Sequence, residues 1–140
     1  MKTILSASLL SLWLVSSFGL AAESEDAESA PDTEIRGAVS AFHTHIEPVW
    51  HHHYPAKDAA AIKEEIPALK DAAEAVLSAT KADGSPASQE AAEKLVESVD
   101  ALSAASAAQD EGAVMVSVEQ MHDEFHELIT TLKVSQKELH

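Results

Sequence analysis

Seven of the eight histidines in this chain fall into two clusters. His43, His45, His51, His52 and His53 lie early, His122 and His126 lie late, and none stands between Tyr54 and Met121. Imidazole is the commonest side-chain ligand of transition metals and titrates near neutral pH. His43, Glu47 and His51 follow one another at i, i+4 and i+8, which on a helix is one face. His122 and His126 stand at i, i+4 on another, with Glu119 one turn before them. Such spacing lets side chains of one helix reach a common ion. The sequence therefore predicts a metal site built from His43, Glu47, His51, His122 and His126, with His43 and His122 as central ligands. Zinc or copper is the expected ion, and Met115 and Met121 would add soft ligands for copper. Because neutral imidazole is the binding form, affinity should fall below about pH 6.

The same residues argue against catalysis. His122-Asp123-Glu124-Phe125-His126 has the histidine spacing of a zinc-protease helix, but Asp123 stands where the glutamate base would be. A di-iron carboxylate centre needs an ExxH motif on each of two helices. Glu119-Gln120-Met121-His122 supplies one, and there is no second. Nucleophile triads and phosphate-binding loops are not visible. No enzymatic activity is expected.

These histidines have to be held by helices. Beyond residue 32 the chain is rich in Ala, Glu, Lys and Leu, and the whole sequence has four glycines. Ile35, Val39, Phe42, Ile46, Val49 and His53 alternate at spacings of four and three, which predicts a helix from about Asp32 to His53 with one buried stripe. A second is predicted from about Asp58 to Ala82 on Ile62, Ile66, Leu69, Ala73 and Val76. Ser85-Pro86 starts a third, a capping residue before a first-turn proline, with Ala92, Leu95, Val99 and Leu102 on its stripe. The fourth runs from about Gly112 to Leu139 on Val114, Val118, Met121, Phe125, Leu128 and Leu132. Short connections between helices of similar length predict an all-α, up-down-up-down antiparallel four-helix bundle over residues 33–140. Pro48 and Pro67 fall inside helices and should kink or break them.

That topology makes the first and fourth helices neighbours. His43 lies as far before the end of the first segment as His122 lies after the start of the fourth, so the two should share one level. Each is also one position past a core residue, Phe42 or Met121, where a side chain can turn toward the next helix. The run His51-His52-His53 beside Trp50 and Tyr54 also reads as a polar helix end, favoured there by the helix dipole.

Residues 1–22 read as a secretory signal peptide. Lys2 precedes an apolar run from Ile4 to Leu20, and Gly19-Leu20-Ala21-Ala22 offers small residues for cleavage. Residues 23–32 read as a disordered acidic leader. The expected location is the periplasm or the exterior of the cell. With no cysteine, the chain cannot use disulfides, thiolate ligands or covalent c-type haem attachment. A net charge of −15 argues against nucleic acid and anionic membranes as partners and is compatible with cations. No membrane association is expected once the signal is removed.

In size, export, helix pattern and the late segment Met121-His122-Asp123-Glu124-Phe125-His126, the chain resembles the cytochrome c-prime and small b-type cytochrome superfamily. Members that attach haem covalently do so through CxxCH, which is absent here. The b-type bundles take one axial ligand from the first helix and one from the last, and His43 and His122 match that arrangement by position. The resemblance thus implies non-covalent haem b held by His43 and His122, for electron transfer or gas binding, as an alternative to a bare metal ion. A third expectation is a metal-free acidic interaction module that presents its histidine-rich end to a partner protein in a pH-dependent way.

Overall fold

The computed structural model describes residues 30 to 132. The expected signal peptide, most of the acidic leader and the stretch from Lys133 to Leu139 lie outside the described residues. Within them the fold is all-α, with four helices and no strand among the described residues. Helix α1 spans Ala30–Pro48 and runs on into a single π-helical turn, Val49–His53. Helices α2, α3 and α4 span Ala59–Asp83, Pro86–Ala107 and Glu111–Leu132. Helix α1 starts slightly ahead of the Asp32 that the spacing predicts, with Pro31 in its first turn, where a missing N–H loses nothing.

One hydrophobic core takes residues from all four helices. Ile35, Val39, Phe42, Ile46 and Val49 are buried from α1 and its π turn, as their four-and-three spacing requires. Ile62, Leu69 and Val76 meet them from α2, Leu95, Val99 and Leu102 from α3, and Val118, Met121, Phe125 and Leu128 from α4. The helix starts are fixed by side-chain caps. Asp58 Oδ1 accepts from the Ala61 N–H at 3.0 Å, Ser85 Oγ from the Ser88 N–H at 3.1 Å, and Asp110 Oδ1 from the Ala113 N–H at 3.0 Å. Consecutive helices pack closely, whereas the backbones of α1 and α4 approach one another only sparsely and meet chiefly at the π turn. The α1–α4 seam is therefore closed by side chains, and those are the histidine-bearing faces.

The two internal prolines behave differently. Pro67 sits within α2, which continues unbroken to Asp83. Pro48 ends the regular part of α1. It has no N–H to offer the Thr44 carbonyl, so the α-helical ladder loses a rung there. The next turn closes on a wider spacing, with Tyr54 N–H donating to Val49 O at 2.8 Å and Asp58 N–H to His53 O at 2.9 Å. A π-helical turn holds an extra residue, and such turns are rare and often lie at functional sites. No helix among the described residues is long and apolar enough to cross a membrane.

Candidate functional site

On α1, Phe42 faces the core and His43 stands one position round, on the flank toward α4; Glu47 follows one turn later. The π turn then carries Trp50 and His51. On α4, Met121 and Phe125 are buried and the histidines at 122 and 126 each stand one position past them. His43, Ile46, Glu47, Trp50, His51, His122, Phe125 and His126 line one cleft of about 260 Å³. All five residues predicted as ligands are among them.

Aromatic contacts set the geometry of this cleft. Phe125 lines its floor and packs on the buried Phe42 beneath, with ring centroids 5.0 Å apart and planes tilted by 43°. The His43 ring lies against Phe125 at 6.2 Å and 29°. Trp50 stacks on His122 with centroids 3.7 Å apart and planes within 10°. His122 in turn meets His126 at 4.4 Å and 48°. Tyr54 stacks on Trp50 at 4.9 Å and 15°. The Glu119 carboxylate on α4 stands beside the Tyr54 hydroxyl and holds the phenol above its ordinary pKa. The imidazoles therefore meet their neighbours by their faces. Among the described residues no three His, Cys, Asp or Glu side chains already stand grouped as an ion requires.

The other residues singled out from the sequence lie elsewhere. Met121 is fully buried in the core. Met115 lines a separate cavity of about 500 Å³ with Tyr54, Pro55, Lys57, Glu111 and Gly112. Neither thioether lines the histidine cleft. Of the triple histidine run, only His51 lines it; His52 is exposed and His53 half-buried, and neither they nor His45 belong to its lining. The ring contacts of Trp50 and Tyr54, read from the sequence only as neighbours of a polar helix end, are the contributions that spacing arguments missed. Their signals were present: Trp50 is two turns after His43 on the same flank, and Glu119 is one turn before His122.

His122 carries the clearest electrostatic signature. Burial lowers its pKa below the ordinary imidazole value, neighbouring His126 and His51 push the same way, and Asp123, with Oδ1 4.0 Å from Nδ1, opposes them. The unfolded chain then takes up a proton on His122 at a higher pH than the folded chain does. Stability is unaffected well above about pH 6.5, the ordinary imidazole value, and falls as the pH drops through it toward the lower folded value. Urea unfolding of the metal-free protein should show this acid-side loss, and His122→Gln should flatten it. An unchanged slope in that variant would assign the loss to other groups.

Comparison with protein-family models, curated proteins and solved structures finds no match. What the cleft does has to be argued from its own residues.

Proposed function

We propose that this protein binds a single transition metal ion, zinc or copper, in the cleft between α1 and α4. His43 and His122 are the central ligands, and His126, Glu47 and His51 complete the set. The observation that carries this reading is that five residues picked out by helical spacing line one small cleft. Three properties support it. Imidazole and carboxylate suit zinc and copper. The depressed proton affinity of His122 keeps it in its ligating form at neutral pH. The donors come from both sides of the cleft, α1 with its π turn and α4, so one ion there can be shared between the two helices.

A haem fits the same walls poorly. The cleft is smaller than the roughly 300–1,000 Å³ of usual small-molecule and cofactor sites. A hydrated ion needs far less room. The reading extends to the up-down-up-down antiparallel arrangement, supported by the short links at Tyr54–Asp58 and Ala108–Asp110. It also takes the chain to be exported on its N-terminal apolar segment and to work in the periplasm or outside the cell. There it would buffer, deliver or sequester metal, as a binding protein with no catalytic step. Its acidity speaks against nucleic acid as a partner.

The test is elemental analysis of untagged protein purified without chelators, followed by titration with zinc and copper. Near-stoichiometric zinc or copper is expected. Protein that arrives metal-free and takes up neither ion overturns the reading and leaves a pH-sensitive surface for a partner protein. A Soret band in the purified protein would redirect it to haem.

A further inference from the structure

We infer that Trp50 is a gate on this site: its stack on His122 holds that imidazole away from its fellow ligands, and metal binding requires the stack to open. The inference rests on the metal reading above and deepens it, by saying how entry to the site is controlled.

The contact between Trp50 and His122 is close and nearly parallel, 3.7 Å and 10°. It is also buttressed. Tyr54 lies nearly parallel to the same indole at 4.9 Å and 15°, and its hydroxyl stands beside the Glu119 carboxylate across the seam on α4. The indole is thus clamped between its own π turn and the helix that carries His122. Aromatic pairs of this kind contribute beyond simple burial, so the stack has a preferred geometry that resists rotation of either ring.

Coordination asks for a different geometry. A metal sits in the plane of an imidazole, about 2 Å from nitrogen, and a shared ion needs His122 and His43 to aim nitrogens at one point. In the stacked state His122 presents its face to Trp50 and His126, and His43 presents its ring to Phe125. Among the described residues no three donors stand grouped, and turning His122 toward His43 tilts its ring away from the orientation parallel to the indole. Trp50 must then move as well. It is suited to do so, because it stands in the π turn behind Pro48, where the regular α-helical ladder has already been interrupted.

An ordinary supporting residue would weaken the site when removed; a gate does the opposite. Zinc titration by calorimetry should therefore show Trp50→Ala binding about three- to tenfold tighter than the unaltered chain, the factor a stacked aromatic pair represents. Zinc is the probe because its filled d shell does not itself quench tryptophan by redox chemistry. In a Trp13→Phe chain Trp50 is the sole tryptophan, and its emission should change as zinc is added. If Trp50→Ala folds badly by circular dichroism, Tyr54→Phe serves instead. It removes the hydroxyl that stands beside Glu119, keeps the ring, and should tighten zinc by about two- to threefold. Equal or weaker binding by the folded variant, with the Trp50 emission unmoved while His122→Ala still abolishes zinc uptake, overturns the gate and leaves the metal site standing. Absence of zinc uptake by the unaltered chain and both variants overturns the metal reading, and the gate with it.

Discussion

Replacing both His43 and His122 with alanine should lower zinc affinity by about a hundredfold or more while leaving the helical signal unchanged. Residues that merely orient a metal ligand change affinity by about 10–100-fold when mutated, so loss of two ligands belongs at or beyond the upper end of that range. The fold should tolerate the change because both side chains are only half-buried and the core beneath them, Phe42 and Phe125, stays intact. Competition against a chelator of known affinity reads the constant. Thermal unfolding gives an independent readout. A ligand that binds only the folded state at 100 times its dissociation constant adds about 2.7 kcal/mol. The unaltered chain should gain that increment and the double variant, at the same zinc concentration, about 0.4 kcal/mol or less. His126→Ala should lose less, since that residue is exposed at the mouth of the cleft. A double variant with unchanged zinc affinity would move the site elsewhere, with His52 and His53 at the end of the bundle the next residues to mutate.

The fold was more legible than the site, for reasons that can be traced to particular residues. Ile35, Val39, Phe42, Ile46 and Val49 repeat at the helical period, and burying such a stripe is the main thing a helix of this kind must do. Asp58 and Ser85 announce helix starts because their side chains satisfy N–H groups that the helix cannot. The level relation between His43 and His122 follows from equal rise per residue, and both line the same cleft. What spacing does not contain is the direction a side chain takes across the seam. The stack of Trp50 on His122 depends on Pro48 diverting α1 into a π turn, and a proline can equally be absorbed, as Pro67 is in α2. The role of Glu119 likewise depends on Tyr54 reaching it from another helix. Met121, one residue before His122 on the stripe that spacing assigns to the core, is buried there as that stripe requires, which removes it as a soft ligand.

Phe125→Ala should be the most damaging single change in the cleft, and the way zinc rescues it separates packing from positioning. Phe125 is 2% exposed and shares the core with Phe42, so its truncation should cost about 3–5 kcal/mol. A small domain has about 5–15 kcal/mol in total, and this one has no disulfide to fall back on. The urea midpoint should therefore drop by a large fraction. Leu95→Ala in α3 empties a fully buried position that does not line the cleft and should cost a comparable 2–5 kcal/mol. Saturating zinc should restore to Leu95→Ala the same increment it gives the unaltered chain, because its site is untouched. Phe125→Ala should recover less, because the ring that His43 rests on is gone and the imidazole must be ordered by the metal alone. Equal rescue of the two variants would mean that Phe125 supports the core without positioning His43, and that the cleft holds its ligands by the α1–α4 backbones rather than by the aromatic floor between them.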